Sequence, residues 1–159
     1  MDGVRIIEGE LQAGGLRFAL VAARFNEFIV ERLIDGALRA LAGHGAAPAA
    51  ITLVRVPGAF DLPPVAQQMA RSGQWDAIVA LGAVIRGETA HFDFVAGECA
   101  AGLARVALDT GVPVVFGVLT TATVTQAADR AGGKDGNRGA DAATAAVRLA
   151  NLHRRLGAG

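Results

Sequence analysis

Arg17-Phe18-Ala19-Leu20-Val21-Ala22-Ala23 decides the fold: after the arginine every residue is apolar, with no alternation to mark a solvated face. A strand of that kind is buried on both sides, as in a parallel sheet covered by helices. Asn26 follows at a position suited to capping a helix. Ile29, Leu33, Ala37, Leu38 and Leu41 then recur at helical spacing until Gly43 and Gly45 stop the pattern. The unit is strand, turn, helix.

Downstream the unit repeats. Residues 51–56 read as a strand, 61–71 as a helix, 77–85 as a strand, 94–110 as a helix and 112–119 as a strand. Two helical stretches, 123–131 and 140–156, close the chain on either side of the glycine-rich link Gly132-Gly133-Lys134-Asp135-Gly136-Asn137-Arg138-Gly139, which reads as a flexible turn. Upstream there is only a short segment, residues 4–10. No linker divides the chain, so residues 1–159 are expected to form one domain. Strands alternating with helices predict an α/β fold: a three-layer α/β/α sandwich with a central parallel four-stranded sheet and helices on both faces.

Composition narrows the function. Apolar residues make up 52% of the chain but aromatics only 5%, so packing relies on Ala, Val and Leu. Lys plus Arg and Asp plus Glu both number 15, a balance with no electrostatic footprint for nucleic acid or anionic lipid. A neutral surface leans toward self-association. The lone Cys99 cannot form an internal disulfide, and the start Met1-Asp2-Gly3-Val4-Arg5 lacks the apolar core of a signal peptide, which predicts a cytoplasmic protein. No apolar run approaches the roughly 20 residues of a membrane span.

In parallel sheets ligands bind beyond the carboxyl ends of the strands, and four such segments carry unusual chemistry. Phe25 stands where the chain should turn polar, placed to stack on a flat heterocycle or to staple the next helix. In Gly58-Ala59-Phe60-Asp61-Leu62-Pro63, the small residues permit close backbone approach, and Asp61 either accepts bonds from ligand hydroxyls or caps a helix. Leu81-Gly82-Ala83-Val84-Ile85-Arg86-Gly87-Glu88-Thr89-Ala90-His91 is the densest polar cluster after any strand. Backbone N–H groups near Gly87 to Thr89, with the Thr89 hydroxyl, suit a phosphate if a helix begins there. His91 can exchange protons near neutral pH, although a lone histidine is more often a surface residue. Arg130, Lys134 and Arg138 surround the glycine-rich link, where they either hold an anion or merely solvate the connection. His44 and His153 lack metal-ligand spacing with each other, His91 or Cys99.

Read together, Gly58 to Pro63, Leu81 to Val95, and Phe116-Gly117-Val118-Leu119-Thr120-Thr121 with Gly136-Asn137-Arg138-Gly139 resemble the lumazine synthase family in order and spacing. The resemblance covers nearly the whole chain. It implies a flavodoxin-like fold and the condensation of 5-amino-6-(D-ribitylamino)uracil with 3,4-dihydroxy-2-butanone 4-phosphate, in riboflavin biosynthesis. The product is 6,7-dimethyl-8-ribityllumazine, with release of phosphate and water. By similarity Phe25 stacks on the pyrimidine, Ala59, Phe60 and Asp61 meet the ribityl chain and ring edge, and Ala83, Val84 and Ile85 add backbone contacts. Gly87, Glu88, Thr89 and Arg130 hold the phosphate, and His91 shuttles protons.

The resemblance also implies no cofactor and no metal. It implies a homopentamer whose pocket lies between subunits, with the segment at Phe116 supplied by the neighbour, and in some members a 60-subunit icosahedral capsid. Two residues depart from the family pattern. Asp61 stands where Glu is usual and Arg138 where Lys is usual, so ribityl and pyrimidine contacts by these two differ from the pattern. Two other classes of function stay open on the residues alone: a flavin- or lumazine-binding protein without turnover, and a shell-forming protein.

Overall fold

A computed structural model describes residues 2–158. Four strands, β1 (Phe18–Ala23), β2 (Ile51–Val56), β3 (Ala77–Ile85) and β4 (Val114–Thr121), form one parallel sheet in the order β2-β1-β3-β4. The expected four-stranded parallel sheet is therefore present, in the flavodoxin-like order. Both central strands are buried almost throughout, as their unbroken apolar sequences require, while β2 and β4 lie half-exposed at the edges.

Side chains alternate across the sheet and sort the helices into two layers. Phe18, Leu20 and Ala22 of β1 point to a core shared with α1 (Glu27–Gly43), α4 (Val124–Arg130) and α5 (Arg138–Gly157). Ala19, Val21 and Ala23 point the other way, to α2 (Leu62–Arg71) and α3 (His91–Thr110). The result is the three-layer sandwich. Many residues facing the sheet from α5 are alanines (Ala142, Ala143, Ala146 and Ala150), so this aromatic-poor chain packs by close approach of backbones.

Three boundaries and one connection differ by more than a residue from expectation, each for a local reason. The last strand runs Val114–Thr121 rather than 112–119, because Pro113 has no N–H to donate and Thr120 and Thr121 pair with the far end of β3. Helix α3 starts at His91 rather than Phe94, with the Ala90 carbonyl accepting from Asp93 and Phe94. The link at 132–139 is an ordered hairpin, β5 (Ala131–Gly133) against β6 (Gly136–Asn137). Helix α5 begins at Arg138 rather than 140, because the Asn137 side chain accepts from Ala140 N–H at 3.0 Å while its amide donates to the Arg32 carbonyl at 3.0 Å.

Cys99 is fully buried between α3 and the sheet, and burial pushes its thiol from 9.0 up to about 11. At pH 8 its thiolate fraction is therefore about 100-fold below that of the unfolded chain. Native protein is expected to react with a thiol reagent at least that much more slowly than protein in denaturant; rapid native labelling at pH 8 would show that α3 opens locally. The folded thiol holds its proton more tightly. Its contribution to stability is thus complete below pH 9.0 and declines as pH climbs toward about 11.

Candidate active site

The site begins from a difference in strand length. Strands β1 and β3 start in register, Phe18 opposite Ala77, but β1 has 6 residues and β3 has 9. Ala83, Val84 and Ile85 therefore run past the end of β1, paired on the β4 side and unpaired on the other. That overhang lies where the strand order reverses, the position at which parallel sheets open a crevice.

Asn26 closes the floor of this crevice. It precedes α1 as expected, but its side chain makes no cap bond. Instead its backbone takes a left-handed conformation, φ 61°, and its amide donates to the Ala83 carbonyl at 2.7 Å. Asparagine tolerates that conformation better than most side chains do. The bond ties the loop after β1 to the overhang of β3, and leaves Phe25 73% exposed above the opening.

Two adjoining cavities occupy the crevice. One, of about 240 Å³, is lined by Ala83, Val84, Ile85, Gly87, Thr89 and Phe92. The other, of about 580 Å³, is lined by Pro57, Gly58, Phe60, Asp61 and Phe94. Phe25, Ala59, His91 and Val95 border both. The histidine thus stands at the junction, on the first turn of α3.

The second cavity owes its shape to Asp61. This residue precedes α2 but does not cap it with its side chain; Oδ2 accepts from Gly58 N–H at 2.9 Å and folds the loop upon itself. At the first cavity, residues 87–89 precede α3, a helix of 20 residues whose amino terminus favours negative charge. Among the described residues, the backbone N–H groups of Gly87, Glu88 and Thr89 make no bond within the protein. An anion set before the helix would find donors there.

Arg130 and Arg138 lie elsewhere. With Phe116, Thr120, Thr121 and Asp141 they line a third cavity of about 450 Å³, which shares no residue with the other two. Thr123 caps α4 by accepting from Gln126 N–H at 3.1 Å. At the far end of that helix Arg130 donates to the Gln126 carbonyl at 3.0 Å and lies 3.8 Å from Asp135. Lys134 pairs with Asp129 at 3.9 Å and lines none of these cavities, so the grouping of three cations around the link reduces to two arginines.

Of the predicted residues, Phe25, Ala59, Phe60, Asp61, Ala83, Val84, Ile85, Gly87, Thr89 and His91 come together, while Phe116, Arg130 and Arg138 form a separate group. Glu88 lines neither group. The sequence reading did not place Asn26, Phe92, Phe94 and Val95 in the site. Phe94 and Val95 were discoverable, since they follow His91 at three and four residues and so share its helix face once the helix is begun at His91. His44 and His153 bond to the Thr144 hydroxyl and the Gly111 carbonyl, away from the cavities.

A family model described as 6,7-dimethyl-8-ribityllumazine synthase matches residues 15–154. A protein of Nitratidesulfovibrio vulgaris (strain DSM 19637 / Miyazaki F) bearing that name is 54% identical over 153 residues, 96% of this chain and 98% of the relative. Among the described residues, no helix is long and apolar enough to cross a membrane.

Proposed function

This chain belongs to the 6,7-dimethyl-8-ribityllumazine synthase family, and from that membership we propose how its residues perform the condensation. The enzyme joins 5-amino-6-(D-ribitylamino)uracil to 3,4-dihydroxy-2-butanone 4-phosphate, releasing 6,7-dimethyl-8-ribityllumazine, phosphate and water. The observation that carries the assignment is His91 at the junction of two cavities, one beside the turn at residues 87–89 and one beside Asp61.

The pyrimidine stacks on the exposed Phe25 ring and meets the backbone of Ala83, Val84 and Ile85, whose edge β1 leaves unpaired apart from the Asn26 bond to the Ala83 carbonyl. Its ribityl chain runs past Ala59 and Phe60 toward Asp61, whose Oδ1 remains for hydroxyl groups while Oδ2 serves Gly58. The phosphate of the second substrate sits on the N–H groups of Gly87, Glu88 and Thr89. Between them His91 moves protons: the ring-bound amine attacks the ketone, the carbinolamine loses water, phosphate leaves, and the ribityl-bearing amine closes the second ring on the remaining carbonyl with loss of a second water. Each step transfers a proton, and one imidazole within reach can serve several. Holding both substrates together supplies much of the remaining acceleration.

Arg130 completes the phosphate site and Arg138 and Phe116 the pyrimidine site from a neighbouring subunit. The separation of the cavities in one subunit supports this, as do apolar surfaces left open on it. Phe25, Phe60 and Phe94 are each more than half exposed. On α3, Phe94, Gly97, Ala101, Ala104 and Leu108 are exposed at alternating three- and four-residue spacing, the pattern of a helix-packing seam. The working assembly is a homopentamer, and twelve pentamers closing into a 60-subunit capsid is its larger form. The buried lone thiol and the phosphorylated substrate suit the cytoplasm.

The test is appearance of the fluorescent lumazine from the two substrates, in wild type, His91→Ala and Arg130→Ala, with the assembly sized on a column. Turnover that falls sharply in both variants supports the assignments. Absence of turnover in wild type, with flavin still tightly bound, would show a binding protein instead.

A further inference from the structure

We propose that Arg86 is a positioning residue that clamps the phosphate-binding turn shut; this rests on the assignment of residues 87–89 above. Arg86 is the first residue after β3. Its backbone N–H donates to the Thr121 carbonyl at 2.8 Å, which anchors the near end of the turn to the end of β4. Its side chain then spans the turn to the first residues of α3. The guanidinium carbon lies 4.7 Å from the centre of the Phe92 ring, and Nη2 lies 3.3 Å from Asp93 Oδ1.

One residue thus holds both ends of residues 87–91, and little else does. Inside the turn, His91 N–H donates to the Thr89 hydroxyl at a long 3.4 Å. Gly87 has open space around the position of a Cβ and broad conformational freedom. The clamp sets the N–H donors of the turn by fixing its two ends against each other. It also orders Phe92, which lines the smaller cavity. Only a planar guanidinium can lie over a ring while its edge meets a carboxylate, so lysine is a poor substitute.

Both contacts are partly solvated, with side-chain exposures of 52% for Arg86 and 61% for Asp93, so the clamp is modest and suited to a turn that admits substrate. A direct bond from Arg86 to phosphate would give the opposite result at Asp93, because removing the Asp93 charge would then free Arg86 to bind.

The experiment measures KM and kcat for the four-carbon phosphate in the assembled enzyme, for wild type, Arg86→Ala, Arg86→Lys and Asp93→Asn. It also measures amide hydrogen exchange of Asp93 and Phe94, whose N–H groups bond to the Ala90 carbonyl where the turn enters α3, in each. Arg86→Ala is expected to raise KM about tenfold with kcat within about twofold, as two weak contacts together allow. Arg86→Lys and Asp93→Asn raise KM in the same direction, the pair of Arg86→Ala and Asp93→Asn adds nothing beyond Arg86→Ala, and amide exchange of Asp93 and Phe94 quickens in Arg86→Ala. A lower KM in Asp93→Asn, a wild-type KM in Arg86→Lys, or unchanged exchange in Arg86→Ala would each overturn the clamp. Wild type without turnover, but with exchange that still quickens in Arg86→Ala, would retain the clamp and remove the phosphate assignment.

Discussion

Subunits carrying His91→Ala and subunits carrying Arg130→Ala, each strongly impaired alone, are expected to regain turnover when co-expressed in one assembly. Each change removes a group that acts during the reaction, and each alone is expected to lower kcat/KM on the order of 100-fold. In one subunit His91 borders the paired cavities beside β3, whereas Arg130 lines a cavity that shares no residue with them. If each site takes His91 from one subunit and Arg130 from the next, a random equal mixture forms about one quarter of its sites with both groups intact. Activity should return to about that fraction of wild type. A mixture no more active than its parents would place both residues within a single subunit's site.

Gly139→Val is expected to cost about 3 kcal/mol and lower the melting temperature by roughly 10 °C, measured at one protein concentration. Gly139 lies in the first turn of α5, buried against α1. A Cβ there would fall 2.7 Å from the Leu33 carbonyl carbon and 2.9 Å from its Cα. Those are backbone atoms of a helix and cannot swing aside as a side-chain tip would, so the helices must separate. Separation opens the layer built by Val30, Leu33, Ala143 and Val147. It also shifts Arg138, so loss of activity should accompany loss of stability. An unchanged melting temperature would show that α5 can slide along α1 without cost.

Much of this was legible in residue order. The unbroken apolar runs of β1 and β3 made the sheet parallel and buried, and Asp61, Gly87, Thr89 and His91 stood out because polar groups cluster just after strands. Helix α3 starts three residues before the expected Phe94, and only that earlier start puts Phe94 and Val95 on the same helix face as His91. Asn26 was read as a cap from its type and place, which is the usual use of asparagine before a helix. Its bond to a residue 57 positions away outweighed that preference.

The sequence alone thus determined the layers, the existence of most elements and the chemical character of each post-strand turn. Those properties follow from periodicity and residue type, which act over a few neighbours. Tertiary structure alone decided that β3 overhangs β1, that Asp61 folds back on Gly58, and that Arg130 lies apart from His91 within one subunit. These depend on strand register and on side chains meeting across the sheet, where the competing contacts are far apart in the chain and leave no local periodic mark.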